Sequence, residues 1–278
     1  MHGLPMSPAD HMPHTEPPAL APATPGTLRL ALVSGGSRGL GRALCERLQD
    51  EGFQVVEFSR AAPYRYSVRS DLADPALARA IIAATLVRFD PGTVGELLVI
   101  SNASTLQPIG PVERQRPTAI VANLNANLVA PVAWLGAVLA HFQASPARKV
   151  IAQITSGAAR RPHAGLALYG AAKAGMEQFL RVLAHEQQER AQPFITVSVD
   201  PGALDTDMQA ELRDAPAQDL PGRADFEQRQ QLGQLMDAEA AATEIVTLLC
   251  SPRLKTGMRY RVGPSGDTAP APLDERLG

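Results

Sequence analysis

The sequence predicts an α/β fold, a Rossmann-like doubly wound parallel sheet of about seven strands with helices on both faces. Two observations carry this. Short aliphatic and β-branched runs alternate with longer stretches whose apolar residues recur at helical spacing, as strand–helix units feeding a parallel sheet do. The first run, LRLALV at 28–33, passes at once into Ser34-Gly35-Gly36-Ser37-Arg38-Gly39-Leu40-Gly41 and then into a stripe at Leu40, Leu44 and Leu48. That order is strand, glycine turn and helix.

The chain has 278 residues, 45% of them hydrophobic, and a formal charge of −2, which suits one large α/β domain over 28–263. Residues 1–27 carry seven prolines and few large apolar groups, so a disordered tail is expected there, and a second flexible tail over 264–278. Basic residues are nearly all arginine and are interspersed with acids, which reads as a solvated surface and not as a nucleic-acid site. Cys45 and Cys250 show neither paired nor metal-ligand spacing, so no disulfide framework and no metal are expected. With no apolar window of membrane-spanning length and no signal-peptide pattern, the expectation is a cytoplasmic protein with no membrane partner.

In chain order, glycines at 35, 39 and 41 permit close backbone approach, and a helix amino terminus aimed at the turn favours a pyrophosphate. The second strand, 54–58, ends in Ser59-Arg60, where an acid would meet a free ribose 2′-hydroxyl. Arginines at 38 and 60 suit a 2′-phosphate instead, hence NADPH; the alternative is two exposed surface arginines. A short third strand precedes Asp71-Leu72, which would close over the adenine, and a helix near 75–88 follows. The fourth strand, 97–101, runs into Asn102-Ala103-Ser104, small residues where backbone passes close to a ligand.

The helical stretch 118–142 carries Asn127 and, inside it, Pro131. Proline has no N–H for the carbonyl four residues back, so the oxygen of Asn127 is left to hold an ordered water, unless the proline is only a kink. The sixth strand, 194–199, leads to Asp200-Pro201-Gly202-Ala203-Leu204-Asp205-Thr206, with Thr206 placed to hydrogen-bond the cofactor. Residues 203–233, polar and broken by Pro216 and Pro221-Gly222, read as a substrate lid. A last helix at 238–250 and a seventh strand at 257–262 complete the domain.

The chemistry concentrates at 151–179. Tyr169 and Lys173 stand four apart on one helix face. Using a phenol as acid and base near neutrality asks for about 4 kcal/mol of phenolate stabilisation, which a fixed ammonium can supply in large part. Ser156 follows the strand 149–155, so its hydroxyl can meet the other two groups at one carbonyl oxygen.

As an ordered set, Ser34-Gly35-x-x-x-Gly39-x-Gly41, Asn102-Ala103, Asn127, Ser156, Tyr169-x-x-x-Lys173 and Pro201-Gly202 with Thr206 resemble the short-chain dehydrogenase/reductase superfamily. Serine stands at 34 for its usual threonine, and Ser-Asn-Ala-Ser at 101–104 for Asn-Asn-Ala-Gly. Within it, the segments at 127–131, 204–209 and 233–237 are similar to the sepiapterin reductase and benzil reductase families. The resemblance implies that Tyr169 protonates a carbonyl oxygen as hydride arrives from NADPH, that Ser156 polarises that oxygen, that Lys173 binds the nicotinamide ribose and depresses the tyrosine pKa, and that Asn127 orders a relay water. The cofactor residues are then Ser34, Gly35, Ser37, Arg38, Gly39, Leu40, Gly41, Ser59, Arg60, Asp71, Leu72, Asn102, Ala103, Tyr169, Lys173, Pro201, Gly202, Leu204 and Thr206.

The expected function is therefore NADPH-dependent reduction of a ketone or vicinal diketone. Its alternatives are sepiapterin reductase activity, NAD-dependent alcohol oxidation, or nucleotide sensing without catalysis. Aligning Lys255-Thr256-Gly257 with the sepiapterin reductase ending puts Arg261 where a pterin-anchoring carboxylate belongs, and Leu106, Leu166 and Met208 suit an apolar ketone better. The resemblance also implies a homodimer or homotetramer built through 118–142 and 167–190, with Val132, Leu135 and Leu139 either in that seam or in the core.

Overall fold

The computed structural model describes residues 26–263 together with 271–272. Most of the expected amino-terminal tail, 1–25, lies outside the described residues. Gly26 already belongs to the domain, its N–H donating to the carbonyl of Gly92 at 3.2 Å.

The elements run β1 (Leu28–Ser34), α1 (Gly39–Asp50), β2 (Gln54–Ser59), β3 (Ser67–Arg69), α2 (Pro75–Leu86) and β4 (Val94–Ser101). They continue through α3 (Pro117–Leu124), α4 (Ala130–Phe142), β5 (Arg148–Ile154), α5 (Ala167–Gln188) and β6 (Ile195–Asp200). Then come α6 (Asp207–Asp214), α7 (Arg223–Gln231), α8 (Ala238–Cys250), β7 (Met258–Arg261) and β8 (Ala271–Pro272). The sheet order is β3-β2-β1-β4-β5-β6-β7-β8, with the first seven strands parallel and β8 antiparallel to β7. Part of the segment expected to be a flexible tail thus pairs with the sheet, covering hydrogen-bonding groups that β7 would otherwise leave as a bare edge. The rest of 264–278 lies outside the described residues.

Strand residues alternate between two cores. Ala31, Val33, Leu98, Ile100 and Ala152 pack against α1 and α8, while Leu30, Leu32, Leu97, Val99 and Ile151 pack under α2, α4 and α5. Burial on both faces is why these strands read as continuous aliphatic runs. The chain reverses direction across the sheet between β1 and β4, and crevices for ligands form at that switch, beyond the strand ends.

The 118–142 stretch is not one regular helix. Between α3 and α4 the backbone widens into a π-turn over Asn125–Val129, closed by the N–H of Ala130 on the carbonyl of Asn125. Pro131 is buried in the first turn of α4 and has no N–H to give Asn127, so the widened turn sits where the regular ladder cannot continue. By length and composition the combined run Pro117–Phe142 is apolar enough to cross a membrane, contrary to the expectation from sequence. Its apolarity has an account within the fold: Trp134, Leu135, Val138 and Phe142 lie in the core beneath α2 and the sheet. Leu135 is core, and Val132 and Leu139 are partly buried against it.

A third apolar cluster joins Leu106, Leu166 and Tyr169 to Leu212, Ala215, Leu220 and Phe226. The polar-looking segment 203–233 therefore turns an apolar face toward the tyrosine. It is seated closely: at Gly165 (φ +88°) a Cβ would fall 2.1 Å from the carbonyl oxygen of Asp219.

Candidate active site

Register brings the site together. Ser34 pairs with Ser101, Ser101 with Gln153, and Ile154 with Val199, so the chain leaves β1, β4, β5 and β6 along one edge. Beyond β1, Ser34 Oγ accepts the N–H groups of Asn102 and Ala103 at 3.1 and 3.2 Å, and Asn102 Nδ2 donates to the carbonyl of Gly35 at 3.0 Å. The turn and the Asn102-Ala103 segment are thus one unit. Its glycines are required: at Gly35 (φ +72°) a Cβ would lie 2.7 Å from Ala103 Cα, and at Gly41 2.0 Å from the carbonyl oxygen of Gly35.

The amino terminus of α1 has neither a side-chain cap nor an acid in its first turn. Its unpartnered amide dipoles fit a pyrophosphate, so the cradle suits a dinucleotide. Thr206 begins α6 with no capping bond from its side chain and lies beside Gly39, leaving its hydroxyl available to the same ligand. Asp200 Oδ1 accepts the Gly202 N–H at 3.0 Å and fixes the Pro201-Gly202 turn ahead of buried Leu204. Around the ends of β2 and β3, Ser59 is buried, Arg60 is exposed, and Asp71 accepts the N–H of Ala73 next to half-buried Leu72. Arg38 Nη1 pairs with Asp207 Oδ2 at 2.8 Å, both side chains largely exposed. Tyr64, which no motif marked, donates to the Ser37 carbonyl at 3.3 Å.

Ser156 follows β5 and caps a short 3-10 turn, its Oγ accepting the Ala158 N–H at 3.2 Å. Tyr169 and Lys173 project from α5 and are buried. Burial pushes the Tyr169 phenol up to about 12; hydrogen bonding to Ser156 pulls it back, the charge of Asp200 pushes it up further, and hydrogen bonding to Ser104 lowers it again. Lys173 goes the other way, down to about 8 by burial, with Glu177 opposing the drop. Its Nζ donates to the Ile154 carbonyl at 2.8 Å and stands 5.5 Å from the centre of the tyrosine ring. The net shift of the phenol is upward because burial is the largest influence on it.

Asn127 is buried beside the site. Its Oδ1 accepts the Thr105 N–H at 2.9 Å and its Nδ2 donates to the Thr105 carbonyl at 2.8 Å, bracing the segment that carries Ser104. Ser104 itself was missed as a functional group; its signal was a hydroxyl where the resembling superfamily has glycine. Leu106, Leu166 and Met208 do meet around Tyr169. Arg261 lies exposed at the end of β7, in register with Asp200.

A parallel sheet of this order, with a glycine cradle and a buried tyrosine–lysine pair at one edge, defines a Rossmann-like oxidoreductase. The chain belongs to the short chain dehydrogenase family, whose model matches residues 29–217. It is 27% identical over 247 residues to the benzil reductase ((S)-benzoin forming) of Bacillus cereus, covering 84% of this chain and 99% of that one. It is also 27% identical over 251 residues to the sepiapterin reductase of Bos taurus, covering 82% and 92%. Among solved structures, a short chain dehydrogenase from Burkholderia cenocepacia in complex with NADP superposes with a TM-score of 0.67 at 25% identity, covering 84% of this chain and 96% of that one.

Proposed function

We propose that this protein reduces a ketone or vicinal diketone to an alcohol with NADPH. The observation that carries the reading is the phenol of Tyr169, buried between the Ser156 and Ser104 hydroxyls and pushed up to about 12, so that it holds its proton throughout the neutral range. A proton held there is ready for a carbonyl oxygen. When bound, NADPH would supply the hydride. The α1 amino terminus and Thr206 would hold its phosphates, with Arg38 and Arg60 at the 2′-phosphate. Ser156 donates a hydrogen bond to the substrate oxygen, Tyr169 transfers its proton to it, and Lys173 keeps a cation beside the phenolate that results.

Return of a proton needs a path. Buried Ser101 Oγ, Gln153 Oε1 and Ser198 Oγ, in register across β4, β5 and β6, have no protein partner. Such a row suits ordered water, with the Asn127 carbonyl, deprived of its helical donor by Pro131, as the next station. Exposed Val121, Val129 and Val182 on the 118–142 and 167–190 helices support a homo-oligomer assembled through them.

The benzil reductase likeness and the apolar lining favour an aromatic or vicinal diketone. The sepiapterin reductase likeness favours a pterin, but a cation at Arg261 accepts no hydrogen bonds from a guanidine-like edge, and unpaired donors there would cost about 1 to 3 kcal/mol. Steady-state kinetics with NADPH should show higher kcat/KM for benzil than for sepiapterin. Tyr169→Phe should abolish the turnover while keeping NADPH affinity within a few-fold. A clear advantage for sepiapterin overturns the substrate, and substantial turnover by Tyr169→Phe overturns the proton donor.

A further inference from the structure

Behind the candidate catalytic groups lies a buried ion cluster whose Arg259 and Glu177 belong to none of the sequence motifs. Arg259 of β7 stands in register with Ser198 of β6 and reaches α5. Its Nε donates to Glu177 Oε1 at 2.9 Å, and its Nη2 to Asp200 Oδ2 at 2.7 Å and to the Ser156 carbonyl at 3.4 Å. Glu177 follows Lys173 by one turn and Tyr169 by two. It also accepts Thr155 Oγ1 at 2.7 Å and Arg160 Nε at 3.3 Å. The side chains of Arg259, Glu177 and Asp200 are only 11%, 9% and 9% exposed.

Resting on the carbonyl-reductase reading above, we propose that Arg259 is a positioning residue whose guanidinium locks the ends of β5 and β6 to α5 and neutralises the carboxylates of Asp200 and Glu177 beside Tyr169 and Lys173. One planar fork does both. Ser156, Tyr169, Lys173 and the Pro201-Gly202 turn belong to the three elements it touches, and a point charge on a flexible stem could not hold two carboxylates and a carbonyl in fixed directions. The charged groups around the reacting pair come from every packed element: Lys173 and Glu177 from α5, Asp200 from β6, Arg259 from β7 and Arg160 from the loop after β5. Asp200 helps keep the proton on the phenol, and Glu177 helps keep Lys173 cationic. Arg259 limits both influences.

The measurement is the pH at which NADPH-dependent benzil reduction declines on its alkaline side, where the Lys173 ammonium and then the Tyr169 phenol lose the protons that the reaction needs. Asp200→Asn should move this limb down by roughly half a unit or more. Arg259→Met should move it up, and the double variant should return near the parent. A purely structural role would lower kcat and Tm in all three with the limb unmoved, and that result overturns the proposal. Because Arg259→Met leaves two buried carboxylates without their guanidinium and can fail to fold, Arg259→Lys provides a second arm. It should hold the limb near its parental pH while kcat falls, and an unchanged kcat would count against positioning. If the parent reduces no ketone, the functional reading fails by itself. The proposal is then decided by tyrosinate absorbance of Tyr169, taken as the difference from Tyr169→Phe: Asp200→Asn must lower its titration, Arg259→Met raise it and Arg259→Lys leave it near the parent, and a titration unmoved by Asp200→Asn overturns the proposal.

Discussion

Lys173 shows at the residue scale what the site demands of the fold. Its ammonium is buried and its pKa falls to about 8, against about 10.4 for an unfolded lysine. The unfolded chain therefore binds the extra proton between those values, so this group's contribution to stability rises with pH from about 8 to 10.4. Below pH 8 the full penalty stands, roughly 3 kcal/mol. Lys173→Met should accordingly be more stable than the parent at pH 7 in urea titrations, with the gap closing toward pH 10. A gap independent of pH would mean that the ammonium bears no such penalty. Ser104 is the complementary case, a group that acts on the phenol itself. Losing one hydrogen bond of about 0.5 to 1.5 kcal/mol, Ser104→Ala should slow benzil reduction by roughly two- to tenfold with little change in NADPH affinity. Unchanged turnover would leave Ser104 a mere spacer. Tyr169, Lys173 and Ser156 were legible in the sequence because their spacing and residue types are local. The weight of burial on the phenol was not, because desolvation depends on Leu166, Leu212 and Phe226 arriving from three separate segments.

At the scale of elements, Pro131 connects helix geometry to the site. The π-turn over Asn125–Val129 turns Asn127 inward, where its amide holds both backbone groups of Thr105. With Pro131→Ala an N–H becomes available to the Asn127 carbonyl, and the turn can tighten to regular α-helix. Turnover should then fall several-fold at nearly constant NADPH Kd, and a crystal structure of the variant should show Asn127 displaced from Thr105. Parental turnover would reduce Pro131 to a kink. The sequence reveals the proline and hence a break in the ladder, but not how the break is absorbed, since kink and widened turn begin from the same missing N–H. The β1–α1 unit was legible throughout, as glycine spacing and the Leu40, Leu44 and Leu48 stripe are properties of contiguous residues. The segment 203–233 was legible only as a polar stretch. Its buried face is carried by Leu212, Ala215, Leu220 and Phe226 over two short helices and a loop, too irregular to register as one period.

Over the whole molecule, the switch of chain direction between β1 and β4 sets a glycine cradle from the first half of the chain against the 203–233 segment from the second, and Arg38–Asp207 is an ion pair directly between them. Both side chains are 73% exposed, so the pair is worth at most about 1 kcal/mol. A 2′-phosphate offers Arg38 and Arg60 charge-assisted contacts of about 1.5 to 3 kcal/mol each at best. The phosphate should therefore draw Arg38 from Asp207, and NADPH should bind roughly ten- to a hundredfold more tightly than NADH once solvent screening of the exposed arginines is allowed for. Arg60→Asp replaces a cation with an anion where a free ribose 2′-hydroxyl can be accepted. It should weaken NADPH and improve NADH, narrowing or inverting the ratio while kcat with saturating cofactor stays near the parent value. Fluorescence titration of both cofactors against parent and variant measures this directly. Equal Kd values for NADPH and NADH in the parent would remove the two arginines from the cofactor site and leave them as surface charge.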